Sequence, residues 1–563
     1  MRRLVLLGAL LGWASGPSRA AALPLSDWRA VPRIVAVGDV HGAYDNLVAI
    51  LETAGLVDGE LHWSGGKAHL VQLGDVVDRG SDSRKCMDLL ARLEQEAERA
   101  GGRVHVLIGN HEAFNVVGVL DYVSPDEFAS YVEPDSKDFW EREFKDFYQR
   151  EQKKVRDAGR TMPGEGEVRK VFAAKYPLGY FEHRRAFGPD GRYGKWIRER
   201  LLAVRVNGVV FSHGDWTEQT SALGLDAANQ QLADELAGRR PLEGGIIFDA
   251  RGPLQNRWLS KVPLDQQEGY DAQVDRILES LQATRLVVGH TVTDGFIEPR
   301  FGGKHLSIDL GMLEIYQGGH RVALELEGDA VRAIHPRGKV DVPLRLGGSV
   351  LYDYMLAVSK VDPENVEVMS RVAEALGSRG QLTAARDALE QLFRIPKPVP
   401  FRYRKDLGDV YVELGVRDKA REQYSLYING LKDLIDATPG NPHLKNLLAR
   451  FAIDQMMELN LAEQMIRAAV TAQPENVTFL NTFGRLQIVL RQFAQAAETL
   501  EKASAKPGAD YTTHYQLGLA YVGLKQTEKA RGAFENALKM NPSGTEAREA
   551  LKKLDVPSGG SDL

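Results

Sequence analysis

The sequence has almost no cysteine, since Cys86 is the only one in 563 residues. No intramolecular disulfide can form, and neither a cysteine-based metal site nor a redox pair is possible. An excess of basic residues is also lacking: the net charge is -6, and no basic stretch occurs. This charge argues against a general nucleic-acid-binding protein, so we expect no nucleic-acid partner. Stability must come from packing, and the length predicts two or three domains.

The N-terminal apolar run covers only residues 4–14, which is too short to span a bilayer. It follows a basic start at Arg2 and Arg3 and precedes Gly16, Pro17 and the small residues 20–22. This pattern is typical of a secretory signal peptide, so we expect residues 1–22 to be cleaved and no stable membrane insertion to remain. An uncleaved anchor is the alternative. Export of a chain without disulfides leads us to expect a bacterial periplasm.

Residues 31–345 alternate short Val/Ile/Leu-rich runs with longer helical stretches, the pattern of a layered α/β domain. Six runs predict buried strands at residues 33–37, 69–73, 104–108, 209–212, 285–288 and 305–308. In such sheets, ligands gather beyond the carboxyl ends of the strands. Residues 113–205 interrupt the pattern with aromatic and charged segments. Two interpretations of this insertion stay open, a packed helical insertion and a cap that shapes the substrate site.

From about residue 355 the strands disappear, and helical periodicity predicts an all-α tetratricopeptide solenoid over residues 355–556. Its clearest unit carries Ala530, Phe534, Ala537 and Pro542. Positions equivalent to Ala530 recur towards the N-terminus, so about five repeats should stack; they are Ala496, Ala462, Ala420 and Ala385. Small residues recur because the two helices of each unit cross closely. The repeats predict a protein partner, and a solenoid that only dimerises or supports the first domain is the alternative.

Polar side chains follow five of the predicted strands. They are Asp39 and His41 in "GDVHG", Asp75 and Asp78 in "GDVVDRG", Asn110 and His111 in "GNHE", His213 in "FSHGD" and His290 in "VVGHT". Imidazole nitrogens with carboxylate and amide oxygens suit Mn, Fe or Zn ions. The candidate ligands exceed what one ion needs. The sequence therefore predicts two divalent metal ions bridged by one carboxylate, and we expect Mn, with Fe or Zn as alternatives.

These five motifs, in this order, resemble the metallophosphoesterase superfamily and, within it, the phosphoprotein phosphatase group. The segments "GRYGKW" (191–196) and "GPLQNR" (252–257) are similar to segments of its bacterial-type branch, the Shewanella-like protein phosphatases. The resemblance covers about residues 31–335 and implies a calcineurin-like β-sandwich flanked by helices. It also implies two ligand sets that share Asp75: the first metal on Asp39, His41 and Asp75, and the second on Asp75, Asn110, His213 and His290.

The resemblance assigns the remaining polar residues as well. It implies that His111 gives a proton to the leaving oxygen and that Asp78 orients His111 and keeps it protonated. Arg79 would clamp the phosphoryl group, and Arg257 would supply a second clamp. A hydroxide shared by the metals would attack phosphorus in line, without a covalent enzyme intermediate.

The implied function is a metal-dependent phosphoprotein phosphatase acting on phosphoserine, phosphothreonine or phosphotyrosine, with the repeats recruiting protein targets. One alternative is a nucleotide or dinucleoside polyphosphate hydrolase of the same superfamily. A second alternative is a repeat-based binding scaffold whose phosphatase domain is inactive.

Two positions depart from the pattern of the phosphoprotein phosphatase group. Ile108 stands where members commonly carry an arginine before "GNHE", and Asp215 stands where they carry a second glycine after "HG". We expect Asp215 to place a further carboxylate near the site, which would disfavour very anionic substrates. Several other histidines belong to no motif and are expected to be structural or surface groups, namely His62, His69, His105, His183 and His305.

Overall fold

The computed structural model describes residues 23–316 and 319–555. It contains two compact units, the first ending at Val399 and the second beginning at Pro400. The predicted signal peptide, residues 1–22, lies outside the described residues, so its cleavage stays a prediction. Within the described ranges, no helix combines the length and the apolar character that a membrane span requires.

Three parallel strands form one half of the first sheet. They are β2 (Ile34–Val37), β3 (His69–Gln72) and β4 (Arg103–Val106). An antiparallel extension adds β10 (Ala323–Glu327), β11 (Ala330–His335) and β12 (Gly338–Asp341), giving the order β12-β11-β10-β2-β3-β4. Every residue of β2 and β3 is buried, because both faces of this part of the sheet are covered.

The second sheet contains the remaining strands of the described chain. They are β1 (Asp27–Trp28), β5 (Ala203–Val206), β6 (Val209–Ser212), β7 (Arg285–Val288), β8 (Glu298–Arg300) and β9 (His305–Ser307), in the order β1-β5-β6-β7-β9-β8. All six predicted strands are confirmed. The sequence missed the short edge strands and the antiparallel extension, because their alternating polar residues lack the continuous apolar run of a buried strand.

The two sheets face each other, as contacts between their side chains establish. The ring of Trp28 on β1 meets His69 on β3 edge-on at 5.2 Å and His105 on β4 at 5.6 Å. The Nδ1 of His69 lies 3.0 Å from the Nε2 of His105. Burial lowers the pKa of His69 to about 4 and that of His105 to about 3, so both are neutral. The expectation that these two histidines are structural is confirmed.

Helices cover the outer faces of the sheets. Their bounds are α1 (Tyr44–Thr53), α2 (Ser83–Arg99), α3 (Asn110–Val117), α9 (Glu218–Ser221), α10 (Leu225–Leu236), α11 (Trp258–Lys261) and α12 (Asp271–Ser280). Helix α2 shows the cause of this layering. Its buried residues, which include Met87, Leu90 and Leu93, recur every three or four positions and so form one apolar face.

The insertion at residues 113–205 is a packed helical structure. It contains α4 (Pro125–Ser130), α5 (Ser136–Asp157), α6 (Glu165–Lys175), α7 (Tyr180–Phe187) and α8 (Arg192–Arg198). Helices α5 and α6 meet through aromatic side chains: Phe172 lies 5.3 Å from Phe144 and 5.1 Å from Trp140 between ring centroids. The alternative interpretation, a cap that shapes the substrate site, stays a prediction.

The first unit extends beyond the sheets into helices that the sequence assigned to the repeats. These are α13 (Ser349–Val361), α14 (Val366–Ser378) and α15 (Leu382–Leu392). Helix α13 packs against β12 and so covers an exposed sheet edge. The domain boundary between residues 345 and 355 stays a prediction, whereas the compact unit itself ends at Val399.

The second unit is built from helix pairs. They are α16 (Arg402–Glu413) with α17 (Arg417–Ala437), α18 (Pro442–Asp454) with α19 (Leu459–Ala472), α20 (Val477–Val489) with α21 (Phe493–Ser504), and α22 (Tyr511–Gly523) with α23 (Thr527–Met540), followed by α24 (Thr545–Asp555). A Cβ atom on Gly484 would overlap Leu500, and one on Gly518 would overlap Phe534. The helical repeats and the role of their small residues are confirmed.

Candidate active site

The polar residues of the five motifs converge at one end of the two sheets. They follow β2, β3 and β4 of the first sheet and β6 and β7 of the second. The sheets approach closely at this end: Leu107 forms a parallel bridge with Leu201, and a Cβ on Gly38 would lie 2.8 Å from the carbonyl oxygen of Ile308. Glycine at position 38 therefore permits ligands from both sheets to share one space.

Several predicted site residues adopt a left-handed backbone, which non-glycine residues rarely adopt. Their φ angles are 49° at His41, 53° at Asp75, 71° at Asp78, 68° at Arg79 and 62° at His290. Such residues cost on the order of 1–3 kcal/mol each and persist where the surrounding structure fixes them. The turns beyond β2, β3 and β7 thus carry strain where the polar side chains meet.

Asp75 lies at the centre of the site. Its Oδ2 lies 3.4 Å from His213 Nε2, 3.6 Å from His41 Nε2 and 3.8 Å from His111 Nε2. Burial disfavours the charged form of Asp75, but the imidazoles of His213, His111 and His41 hold its pKa well below the usual range. One carboxylate oxygen therefore faces three imidazole rings.

Two groups of side chains have their ligand atoms within 4.8 Å of one another, and Asp75 belongs to both. The first group is Asp39, Asp75, His213 and His290, and the second is His41, Asp75 and His111. Asn110 joins the first group, since its Oδ1 lies 2.9 Å from His213 Nε2. The structure thus brings all six predicted ligands together, while their division between two ions stays a prediction.

The hydrogen bonds of the imidazoles fit metal ligation. The Nδ1 of His41 donates to Val77 O at 3.0 Å, and the Nδ1 of His213 donates to Leu73 O at 3.0 Å. Each Nε2 is then left as a lone pair facing carboxylate or amide oxygen, an arrangement that a cation between them would satisfy. Burial lowers the pKa of His41 to about 3, so that ring is neutral, as ligation requires.

His290 presents its other ring nitrogen. Its Nε2 donates to Gln255 O at 3.3 Å, which leaves Nδ1 as an acceptor 3.3 Å from Arg257 Nη2. Burial, His213 and Arg257 together lower the pKa of His290 to about 2. The donor set of the site is therefore imidazole nitrogen with carboxylate and amide oxygen, which fits divalent transition metals.

A third carboxylate, Asp309, lies against Asp39 and was missed from the sequence. Burial and the carboxylates of Asp309 and Asp75 raise the pKa of Asp39 well above its usual range, and Asp309 accepts a hydrogen bond from Gly311 N at 2.9 Å. The sequence contained a signal for Asp309, because this residue directly follows the predicted strand at residues 305–308, as the motif residues follow theirs. Three buried acids in one place indicate a site for cations.

His111 belongs to a chain of polar side chains. Its Nδ1 lies 2.7 Å from Asp78 Oδ2, and Asn115 Nδ2 donates to Asp78 Oδ1 at 2.8 Å. Burial lowers the pKa of His111, but Asp75 and Asp78 outweigh burial and raise it above the ordinary value. Asn115 was missed from the sequence, although it lies four residues after His111 and therefore on the same helix face.

Glu112, also missed as a functional residue, joins the motif loops through backbone hydrogen bonds. Its carboxylate accepts from the backbone N–H groups of Asp75, Val76 and Gly109 at 2.8 Å each and from that of Val77 at 3.2 Å. Burial and the Asp75 carboxylate raise the pKa of Glu112 to about 7. The acid of "GNHE" therefore fixes the loop that presents Asp75.

Both predicted clamp residues line a cavity of about 220 Å³ above these ligands. Arg79 Nη2 lies 3.2 Å from His111 Nε2, and its guanidinium carbon lies 5.3 Å from the ring centroid of Tyr316. Arg257 lies beside His290 on the same wall. The cavity also exposes Asp39, His41, Asp75, Val292, Asp309, Gly311 and Met312. Two guanidinium groups beside metal-type ligands suit a phosphoryl group.

The expectation for Asp215 is wrong. Its carboxylate does not line the cavity: it accepts from Ser260 N at 2.8 Å and lies 2.7 Å from His305 Nε2. Asp215 and His305 are both fully buried, so this pair is structural and His305 is not a ligand. Ile108 is likewise fully buried in the apolar core, where an arginine would need a partner.

The two other histidines outside the motifs behave as expected. His62 is a surface residue whose Nδ1 lies 3.0 Å from Glu96 Oε1. His183 is buried among aromatic rings and stacks on Phe187 at 4.4 Å between centroids. The histidines of the motifs and those outside them therefore have separate surroundings.

Comparisons with known proteins identify similar families, sequences and structures. The calcineurin-like phosphoesterase model matches residues 32–294, and the tetratricopeptide repeat model matches residues 511–543. The chain is 30% identical to Shewanella-like protein phosphatase 2 of Arabidopsis thaliana over 311 residues, covering 53% of this chain and 76% of that protein. It is 29% identical to an uncharacterized protein of Schizosaccharomyces pombe over 314 residues, covering 54% and 82%. Among solved structures, the cold-active protein-tyrosine phosphatase of a psychrophile Shewanella sp. is similar, with 22% identity, coverage of 59% and 87%, and a TM-score of 0.42.

Proposed function

The chain belongs to the calcineurin-like phosphoesterase family and is a homologue of the Shewanella-like protein phosphatases, and from this premise we propose that it is a two-metal phosphoprotein phosphatase. One observation carries the proposal. The Nδ1 of His111 pairs with Asp78 at 2.7 Å, and its Nε2 lies 3.2 Å from Arg79 Nη2 and 3.8 Å from Asp75 Oδ2. A proton donor, a phosphate clamp and a candidate bridging ligand are therefore adjacent.

The residues that would hold the metals are the six predicted ligands, and Mn is the metal that we propose. Asp39, His41 and Asp75 would hold one ion, and Asp75, Asn110, His213 and His290 would hold the other. When bound, divalent ions lower the pKa of water and stabilise charge on phosphoryl oxygens. Asp309 extends this set, because its carboxylate adds negative charge beside Asp39.

The substrate's phosphoryl group would be held by Arg79 and Arg257. Both line the cavity, and a planar guanidinium can donate two hydrogen bonds to phosphoryl oxygens. The rings of Tyr316 and Tyr122 lie 5.3 and 6.0 Å from the Arg79 guanidinium carbon, which is within the range of a cation–π interaction.

His111 would protonate the leaving oxygen. Asp78 holds the Nδ1 side of the ring, so the Nε2 side faces Arg79, which lines the cavity. Asn115 in turn fixes Asp78 through a hydrogen bond of 2.8 Å. The carboxylates raise the pKa of His111 above its ordinary value, which is the direction that a general acid requires.

The repeats would recruit protein targets to this site. A chain ending at Val399 retains the first compact unit, so we expect it to hydrolyse a small aryl phosphate at within about twofold of the full-length rate. It should lose most turnover on the phosphorylated proteins of a cell extract, because tethering raises the effective substrate concentration only when the repeats are present. A boundary near residue 347 would instead remove α13–α15 from that unit.

The assay uses both chains with Mn against phosphoseryl, phosphothreonyl and phosphotyrosyl peptides, the aryl phosphate and a dinucleoside polyphosphate. Hydrolysis of a phosphopeptide supports the proposal. Hydrolysis of the dinucleoside polyphosphate alone would favour the nucleotide alternative, and a metal-loaded protein that hydrolyses none of them would favour the binding scaffold.

Export to a bacterial periplasm is a separate proposal that rests on residues 1–22. Their basic start, short apolar run and small residues support cleavage. N-terminal sequencing of protein from a periplasmic extract should begin near Ala21 or Leu23. Cytoplasmic protein with an intact Met1 would contradict it.

A further inference from the structure

The segment that follows His290, here called the His290 loop, contributes to one wall of the site. Residues 291–297 connect His290 to β8, and Val292 lines the cavity. Thr293 N donates to Asp309 O at 2.8 Å, and Thr293 Oγ1 donates to Phe296 O at 2.8 Å. The position of this loop therefore bears directly on the cavity acid Asp309 and on His290.

Helix α14 contacts this loop through Asn365, the residue that caps its N-terminus. Its Nδ2 donates to Gly295 O at 2.6 Å, and its Oδ1 accepts from Val368 N at 3.0 Å, which caps the helix. Asn365 is only 1% exposed. Gly295 has a φ of 84°, and a Cβ there would lie 2.6 Å from Asn365 Oδ1, so the loop and the helix start are closely packed.

Helix α13 contacts the same loop at the two residues that follow Gly295. Tyr354 OH donates to Ile297 O at 3.3 Å, and its ring meets that of Phe296 edge-on at 5.7 Å. Tyr354 is buried. At the exposed side of the loop, Arg371 of α14 pairs with Asp294. Residues 294–297 are thus contacted by Tyr354 of α13, Asn365 at the start of α14 and Arg371 of α14.

A second wall of the cavity is attached to α14 as well. His320 N donates to Gly311 O at 3.0 Å, and Gly311 lines the cavity. The Nε2 of His320 lies 3.3 Å from Glu367 Oε2, and both residues are buried. Asn365 and Glu367 lie two residues apart at the start of α14. Asn365 therefore contacts the His290 loop, and Glu367 contacts His320, which in turn donates to the cavity residue Gly311.

We propose that α13 and α14 hold the active site in shape, with Asn365 and Glu367 as positioning residues for the His290 loop and the Gly311 segment. The inference rests on the proposed function for the reaction that the site performs, whereas its effects on metal affinity and on loop order can be measured without that reaction. It gives these first repeat helices a role in the metal site, in addition to the recruitment proposed for the repeats.

The test uses the full chain and Asn365→Asp. Aspartate keeps the oxygen that caps α14 but replaces the donor to Gly295 O by an acceptor. We expect the Mn concentration for half-saturation, measured by direct metal binding, to rise about 10–100-fold. We also expect amides of residues 291–297 to exchange faster with deuterium in the metal-free protein, and kcat on an aryl phosphate to fall with little change in KM.

Two further variants keep the test decisive. Asn365→Ser retains an oxygen that can cap α14 but places no carboxylate against Gly295 O. It should change Mn affinity and exchange in the same direction, and it replaces Asn365→Asp if that protein does not fold. Asn207→Asp is the matched control, because Asn207 Nδ2 likewise donates to a backbone oxygen, Val31 O, at 2.7 Å, and its Oδ1 accepts from Val31 N at 3.0 Å, in the turn before β6 and away from the His290 loop. It should lower thermal stability and leave Mn affinity unchanged.

Wild-type Mn affinity and unchanged exchange of residues 291–297 in the Asn365 variants would overturn the inference. Equal loss of Mn affinity in Asn207→Asp would also overturn it, since the effect would then be general destabilisation. If metal affinity and exchange change as expected while the wild-type protein hydrolyses no phosphomonoester, the positioning role stands and the proposed function fails.

Discussion

Asp75→Asn should lower kcat on every phosphomonoester by about a thousandfold or more and should reduce the bound metal well below two ions per chain. The reason is geometric. Asp75 Oδ2 faces His213, His41 and His111 within 3.8 Å, and Asp75 belongs to both candidate ligand groups. Loss of several kcal/mol of charge stabilisation corresponds to about three powers of ten in rate.

The measurement combines metal stoichiometry by elemental analysis with turnover and a far-ultraviolet circular dichroism spectrum. Asp215→Asn is the matched control, because Asp215 also follows a core strand and pairs with a buried imidazole at 2.7 Å, but it lies outside the cavity. This control should lose stability and keep both metals. Asp75→Asn protein with two tightly bound metals and normal rates would contradict the bridging assignment.

His111→Asn should reduce kcat/KM on a phosphoseryl peptide by about 10²–10⁴-fold, the usual contribution of a general acid. An activated aryl phosphate should lose about tenfold or less, because its leaving oxygen departs without a proton. The comparison of the two substrates isolates proton donation from substrate binding, since both place the same phosphoryl group against Arg79.

Asn115→Ala provides a graded companion to His111→Asn. It removes the 2.8 Å hydrogen bond to Asp78 Oδ1 but leaves the imidazole in place, so it should show the same substrate dependence at smaller amplitude. Equal losses on the seryl and aryl substrates in His111→Asn would mean that His111 positions the substrate or a metal instead of donating a proton.

The candidate ligands were predictable because their arrangement follows from local sequence. Each motif directly follows an apolar run, and the carboxyl ends of β2, β3 and β4 must meet because these strands are parallel neighbours. The repeats were predictable for a similar reason, since Ala530 and its equivalents recur within single helix pairs. Both patterns are local or periodic.

Contacts between distant segments escaped the same reasoning. Asp215 looked like a site carboxylate, yet it pairs with His305, 90 residues away. Glu112 bonds to backbone groups of a loop 35–37 residues earlier, and a backbone donor leaves no trace in the sequence. Asp309 was placed against Asp39 only by the meeting of the two sheets.

The sequence by itself therefore determined the strand ends, their ligand chemistry and the helical repeat, because each depends on residues near one another in the chain or on strict periodicity. Tertiary structure alone decided which carboxylates enter the cavity and that α13 and α14 pack on the His290 loop. The hydrogen bond from Asn365 to Gly295 joins residues 70 positions apart, and such a pairing depends on how two complete elements pack against each other.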